Sequence, residues 1–431
     1  MSCFEVEGGR RLNGTLLLQG AKNGALPLLA AALLIDGECV LENCPDLTDV
    51  HISGEVLETL GCRCAYADHV MTVDARGANR YGIDDRLMQR MRSSILFLGA
   101  LLGRFGRGEI SAPGGCELGL RPIDLHIDAF RRMGAEIEEK HGRIVCRTAD
   151  GLHGCTIDLP VASVGTTENV MIAACLAKGT TVLRNAAKEP EIVNLAGFLR
   201  ACGAKISGDG STVLMIEGGH PLHGCRYRVL PDRIAAVTYL CAGALCGGEV
   251  TLDGVVQDDL VSVLPRFEEM GCRVWSRGDK LTLRSDGVLH AVRDITTREF
   301  PGFPTDAQPM LLAALTKAHG TTLFVENIFS NRFRYVEGLQ KMGAHVKVID
   351  RVAVVEGVPL LLSANVEAPD LRGGAALVVA ALAADGVSTV SGVSHIDRGY
   401  ENMEGVLTSL GARIRRRVED EKIESKTDQA P

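Results

Sequence analysis

The sequence predicts an α/β protein of two inside-out domains, each made of three pseudo-symmetric repeats with helices inside and sheets outside. Three observations lead there. The chain has 431 residues, more than one hydrophobic core usually supports. It is 46% hydrophobic and 23% charged, a globular balance. A phrase also recurs six times: a helix end, then Gly, then Ala or Cys, then an alternating strand. The copies are Leu60-Gly61-Cys62, Met133-Gly134-Ala135, Cys202-Gly203-Ala204, Met270-Gly271-Cys272, Met342-Gly343-Ala344 and Leu410-Gly411-Ala412. Successive glycines lie 73, 69, 68, 72 and 68 residues apart, the mark of a repeat architecture.

Each unit follows one order of events. An Ala/Leu-rich helix ends at a glycine, a short strand and a polar loop follow, and a second helix runs into the Gly turn. In the first unit these are residues 28–35, Gly37, Val40-Leu41, residues 43–49 and residues 56–60. In the third they are residues 171–177, Gly179, residues 181–183, 185–191 and 195–199. Glycine ends a helix well because it enters the left-handed region without strain. A hairpin follows, as at 205–216. The helices at 26–34, 171–177, 235–245, 310–315 and 375–382 are apolar on nearly every face, so they belong in the interior. A helix over 87–102 is expected in the second unit, with Leu87, Met88, Met91, Ile95, Leu98 and Leu102 on one face. Leu230-Pro231-Asp232 reads as the crossover between domains, and residues 418–431 as a charged tail that frays.

Composition excludes several function classes. A formal net charge of -8 with 4% aromatics argues against a nucleic-acid or membrane-surface partner. The 14 cysteines are scattered and show no C-x2-C repeat, so neither a disulfide framework nor a metal site is expected. No apolar run reaches the roughly 18 residues that span a bilayer. The first ten residues carry acids and glycines, unlike a secretory leader. A cytoplasmic protein with reduced thiols and no cofactor is the expectation.

The chemistry-bearing residues cluster in loops. Residues 113–126 place Cys116 among Gly114, Gly115 and Gly119, followed by Arg121 and Asp124. Arg121 stands thirteen residues before Gly134, as Arg398 does before Gly411, while Arg332 stands eleven before Gly343. From Gly108 to Gly134 is 26 residues, longer than the corresponding stretch elsewhere, and such an expansion maps to a binding face. Gly20-Ala21-Lys22-Asn23-Gly24 opens a buried helix and suits either an anion site or a polar cap. Arg92 lies at the edge of an apolar face, as a ligand contact or a solvated charge. Asp306, in Phe303-Pro304-Thr305-Asp306, suits either a helix cap or a catalytic acid. Asp370 and Arg372 precede another buried helix with the same ambiguity. Ser163-Val164-Gly165 leads into a helix expected from Asn169, as a capping box or as hydroxyl and N–H donors to a phosphate.

These motifs in this order resemble the UDP-N-acetylglucosamine enolpyruvyl transferase family over essentially the whole chain to about Arg417. The resemblance rests on residues 20–24, Met91-Arg92, residues 114–126, 163–165, Pro231-Asp232-Arg233, 303–306, Asn331-Arg332-Phe333, Asp370-Leu371-Arg372 and 395–400. It implies the enolpyruvyl transferase fold, with one domain inserted in the other: 1–21 plus 230–417, and 22–229. It implies transfer of the enolpyruvyl group of phosphoenolpyruvate to the 3'-hydroxyl of UDP-N-acetylglucosamine, with phosphate released, the first committed step of peptidoglycan synthesis. Lys22, Arg92, Arg121 and Arg398 would hold the anionic donor, and Cys116 would protonate its methylene carbon. Asp306 would take the sugar hydroxyl proton, Asn23 would steady the tetrahedral intermediate, and Asp370 with Arg372 would support the site. Arg121, Pro122, Ile123, Asp124, Leu125, Ser163, Val164, Gly165 and Ile328 would hold the nucleotide, with Arg332 among the substrate contacts. An oligomer is not required. Two departures stand out: Val161 where many members have Lys, and Ala235 where an acid is frequent. The rival readings are 3-phosphoshikimate enolpyruvyl transferase, whose Ser-Lys start is not found here, and a catalytically silent nucleotide-sugar-binding paralogue.

Overall fold

The six repeat glycines Gly61, Gly134, Gly203, Gly271, Gly343 and Gly411 have φ of 99, 94, 103, 93, 86 and 98°. The computed structural model in which they are seen describes residues 2–91, 95–111, 123–140 and 142–418. At each turn two backbone bonds close the helix end. Gly203 N–H donates to Arg200 C=O and Ala204 N–H to Leu199 C=O, both at 2.9 Å. Equivalent pairs occur at the other five glycines. This is the Schellman arrangement, and it leads each of these helices into the strand that follows.

Among the described residues each unit has its own small sheet, and a seventh, two-stranded one pairs Leu361–Leu362 with Ala384–Asp385. In the third unit Val213–Glu217 lies between Lys205–Ser207 and Thr180–Arg184, antiparallel to both, and Thr156–Asp158 adds a parallel edge. The same order holds for Arg226–Arg228, Glu38–Glu42, Val70–Asp74 and Arg63–Ala67 in the first unit. The second unit keeps three strands, its parallel edge reduced to the bridge between Gly82 and Glu109. In the sixth, Ser2–Glu7 pairs with both Val387–Ser391 and Arg413–Val418, so the start of the chain completes its last sheet. Leu12–Leu17 likewise supplies the parallel edge of the fourth, beside Gly248–Asp253.

The apolar helices lie beneath these sheets in two groups. Lys22–Ala32, Leu96–Phe105 and Val164–Ala174 pack on one another, as do Arg233–Cys246, Gln308–Leu315 and Leu371–Ala381. Each group is the centre of its own hydrophobic cluster, one drawn from residues 25–229 and the other from 4–18 and 234–414. The two chain passages between clusters run side by side: Asp232 N–H donates to Gln19 C=O and Ala21 N–H to Leu230 C=O, at 2.9 and 2.8 Å.

Three local expectations are corrected. The helix expected over 87–102 is interrupted: Asp85–Arg90 ends at Met91, which is extended at φ -138°, ψ 117°. That conformation turns the buried Met91 sulfur toward the Ser53 hydroxyl, 3.3 Å away, and helix resumes at Leu96. The third-unit helix begins at Val164, not Asn169, because Ser163 Oγ accepts from Thr166 N–H and caps it there. The final strand runs through Val418, one residue into the expected tail, where it pairs with Ser2.

Helix contact is closest at Gly99. Asn169, fully buried, accepts from Gly99 N–H at 2.8 Å and donates to Ile95 C=O at 2.9 Å. A Cβ on Gly99 would lie 2.3 and 2.4 Å from Asn169 oxygens. Gly99→Ala is therefore expected to lower the thermal midpoint, with an overpacking cost of about 1–3 kcal/mol. The helical control Gly54→Ala meets only the Met71 methyl, at 3.5 Å, and should gain up to about 1 kcal/mol of helix propensity. Calorimetric scans of the two variants check this; equal shifts would count against the packing account.

Candidate active site

The passages between the clusters deliver charged side chains to one place. Helix Lys22–Ala32 starts directly after the first passage, so Lys22 is buried and its backbone N–H reaches Asp232 Oδ2 at 3.3 Å. Asp232, in the second passage, caps helix Arg233–Cys246 through the N–H groups of Ile234 and Ala235. Ala235, noted above as a departure, thus still receives a carboxylate at its N–H.

Asp49 lies in the first turn of helix Thr48–Thr59, where the unpaired N–H end favours a negative charge. Its side chain is 1% exposed. Lys22 Nζ approaches Oδ2 to 2.8 Å, and the Arg398 guanidinium donates to both oxygens at 2.9 and 3.1 Å. Arg398 comes from the other cluster and is positioned by its neighbours. Gln19 donates to Gly399 C=O and accepts from Glu401 N–H, both at 3.0 Å. Burial alone would raise the Asp49 pKa, but the Lys22 and Arg398 charges override it and hold it below 3.8. Lys22 is pushed below 10.5, first by burial and then by the positive fields of Arg398 and Arg372, against the pull of Asp49.

A second group surrounds Asp306. Arg332, 1% exposed, donates to Asp306 Oδ1 at 2.8 Å and to Thr305 C=O at 2.9 and 3.1 Å. Arg372 Nε lies 3.4 Å from Asp306 Oδ2. Helix Gln308–Leu315 takes no cap from Asp306, so that reading is set aside and the carboxylate faces two guanidiniums. The turn is held from below by the fully buried Glu326, which accepts from the Thr305 hydroxyl and from Ile328 and Phe329 N–H. Asp370 does cap helix Leu371–Ala381, through Oδ1 to Arg372 and Gly373 N–H. Among the described residues its Oδ2 and Arg372 Nη1 are buried without a hydrogen-bond partner.

A third group joins the two clusters. Arg233 donates to both oxygens of Glu191 at 3.0 and 3.2 Å, and Phe300 N–H donates to Glu189 Oε1 at 3.2 Å. Nearby Glu168 is wholly buried, and burial, with the Glu191 and Glu189 charges, raises its pKa well above 4.5.

Of the residues expected from sequence, the structure brings Lys22 and Arg398 together on Asp49, and Asp306, Arg332 and Arg372 into one cluster beside Asp370. Asn23 is exposed next to Lys22. Asp124 and Leu125 open helix Asp124–Arg132, and the next residue, His126, lies against Gly165. The His126 ring would be 3.5 Å from a Cβ on Gly165, and its Nδ1 takes the Asn169 amide at 3.0 Å. Burial lowers His126 to about 4, so it is neutral. Ile123 and Val164 are half-buried, and Val161 is 54% exposed. Arg92, Cys116, Arg121 and Pro122 lie outside the described residues. Sequence reasoning missed Asp49, Glu168, Glu189 and Glu191, and gave Arg233 no task. The only signal for them was an acid at or near a helix start, which is common without function.

The chain matches the family described as EPSP synthase (3-phosphoshikimate 1-carboxyvinyltransferase) over residues 6–407. It is 47% identical over 414 residues to UDP-N-acetylglucosamine 1-carboxyvinyltransferase 2 of Caldanaerobacter subterraneus subsp. tengcongensis, covering 96% of this chain and 99% of that one. It is 44% identical over 422 residues to UDP-N-acetylglucosamine 1-carboxyvinyltransferase 1 of Carboxydothermus hydrogenoformans, covering 98% and 100%. Among solved structures, the enolpyruvyl transferase NikO from Streptomyces tendae superposes with TM-score 0.88 at 28% identity, over 96% of this chain and 98% of that one. An EPSP synthase from Acinetobacter baumannii matches with TM-score 0.75 at 19% identity, over 97% and 100%, a likeness of fold alone.

The raised Glu168 pKa has a signed consequence. Its unfavourable ionisation is absent below pH 4.5, where the unfolded chain is protonated too, and grows as pH rises toward the folded value. Glu168→Gln should therefore change the thermal midpoint little near pH 4 and raise it at pH 8. Each pH unit between the two pKa values is worth about 1.4 kcal/mol. A midpoint difference independent of pH would contradict this.

Proposed function

From the membership of this chain in the UDP-N-acetylglucosamine 1-carboxyvinyltransferase family, we propose that it transfers the enolpyruvyl group of phosphoenolpyruvate to the 3'-hydroxyl of UDP-N-acetylglucosamine. The observation that carries the reading to the site is the pairing of Lys22 and Arg398 on Asp49, with the Asp306–Arg332–Arg372 group close enough for the Arg372 charge to act on Lys22. Phosphoenolpyruvate carries about three negative charges, which need cations on several sides once water is excluded. Lys22 and Arg398 supply two, with Arg92 and Arg121 as further partners. In this account Asp49 holds the first two in place until the anion displaces it.

The chemistry is addition followed by elimination. Asp306 accepts the proton of the sugar 3'-hydroxyl as its oxygen bonds to C2 of the donor, and Cys116 gives a proton to C3. Loss of a C3 proton then breaks the bond to the phosphate oxygen, and phosphate leaves. The paired guanidiniums of Arg332 and Arg372 keep Asp306 fixed while its charge changes. Asn23 lies beside Lys22, placed to steady the tetrahedral adduct. Residues 121–125, the Ser163–Gly165 turn and Ile328 hold the nucleotide. We assign the lobes as 1–21 with 230–417, and 22–229, a division the two separate hydrophobic clusters support. A cytoplasmic role in cell-wall synthesis follows, consistent with described helices none of which is long and apolar enough to cross a membrane. The relatives at 44–47% identity favour this acceptor over shikimate phosphate.

Phosphate release from phosphoenolpyruvate should depend on UDP-N-acetylglucosamine and fall by about 10²-fold or more in Cys116→Ala, the range for a lost general acid. Absence of release from the parent would favour a silent paralogue, and equal rates would remove Cys116 from the mechanism. Fosfomycin should form its adduct on Cys116, faster with the nucleotide sugar present. Peptide mapping that located the adduct on another cysteine would overturn the assignment of the reactive thiol.

A further inference from the structure

Three thiols with no part in the chemistry above meet in one place. Cys39, Cys202 and Cys225 have their sulfur atoms all within 4.8 Å of one another, with Cys202 and Cys225 at 3.2 Å. They come from three elements of fixed relation. Cys39 lies on strand Glu38–Glu42, which pairs in parallel with Arg226–Arg228, Val40 opposite Arg226. Val40 N–H donates to Cys225 C=O at 2.9 Å, so Cys39 and Cys225 are cross-strand neighbours. Cys202 is the C-cap that follows helix Pro190–Ala201 and precedes Gly203, locked by the repeat turn. Cys39 and Cys202 are fully buried and Cys225 is half-buried.

We propose that Cys39, Cys202 and Cys225 form a binding site for a thiophilic divalent cation of the zinc class. A zinc ion about 2.3 Å from each sulfur in tetrahedral geometry needs sulfurs roughly 3.8 Å apart, which small rotamer changes provide here. The half-buried side at Cys225 gives an entry path and leaves the fourth position to water. Three thiolates with a divalent ion leave a net charge of about -1, against -2 for a monovalent one, and the smaller charge costs less to bury. Binding replaces the thiol protons, which pass to solvent. The cysteines are 163 and 23 residues apart, a spacing that no short ligand motif would reveal.

Glu191 stands in the first turn of the helix whose far end carries Cys202. Twelve residues of helix separate the two ends by about 18 Å, so the ion would fasten a helix end to a sheet without entering the reaction.

The test titrates the full reduced chain, in a Cys116→Ala background, with Cd²⁺ as probe, reading thiolate-to-metal absorption in the ultraviolet. Zn²⁺ retention after dialysis follows by metal analysis. One ion per chain and a higher thermal midpoint with metal are expected. Both should vanish in Cys225→Ser and Cys202→Ala and persist in Cys64→Ser. Should Cys202→Ala fail to fold by circular dichroism, the half-buried Cys225→Ser decides. Absence of saturable binding, or binding unchanged in these variants, overturns the proposal. So does formation of a Cys202–Cys225 disulfide under oxidant in a chain that takes up no ion when reduced.

Discussion

The interaction on which the rest of the site depends is the buried carboxylate of Asp49 between Lys22 and Arg398. Lys22 is held where burial disfavours its charge, and Arg398 brings a second cation into the same space. Without Asp49 the two would repel each other in a poorly solvated place, and removing one partner of such a buried pair typically costs about 3–5 kcal/mol. In the proposed reaction the carboxylate keeps Lys22 and Arg398 together before any anion arrives. Because Asp49 and Lys22 lie on helices whose apolar residues build one hydrophobic cluster, and Arg398 stands between Ile396 and Tyr400 of the other, the same contact also ties the two together.

The rest of the seam repeats this theme. Arg233 and Glu191 pair across the passages, and Glu189 takes the Phe300 amide. Glu168 and Glu189 depart from it, driven toward their neutral forms first by burial and then by neighbouring like charge. Two buried carboxylic acids, Asp49 and Glu168, are thus pushed in opposite directions by what surrounds them. Both follow one rule: burial raises a carboxyl pKa unless cations are close enough to reverse it.

Much of the fold was legible in the sequence because its repeat rests on a strict backbone need. Only glycine enters φ near +95° without strain, so the six Gly turns stand out at even spacing, and each is left-handed in the structure. The all-round apolar helices were legible for a similar reason, since nothing but an interior accommodates them. The break at Met91 was not, because its apolar period runs on while the backbone turns to bury the sulfur beside Ser53. Arg332 and Arg398 stood out from their places in the repeat. Asp49 did not, because an acid in the first turn of a helix is ordinary and its decisive partner is 349 positions away. The thiol group of Cys39, Cys202 and Cys225 was hidden for the same reason, being assembled by strand pairing and a helix end.

The affinity for phosphoenolpyruvate of Asp49→Asn beside the parent, measured by calorimetry with UDP-N-acetylglucosamine present, tests this account most directly. If Asp49 occupies the cations that the substrate will take, its neutral isostere should bind the donor at least as tightly as the parent, and by about tenfold more where a surplus of 1.4 kcal/mol is released. Binding lost in Asp49→Asn as completely as in Lys22→Ala, in a variant that still folds, would contradict it.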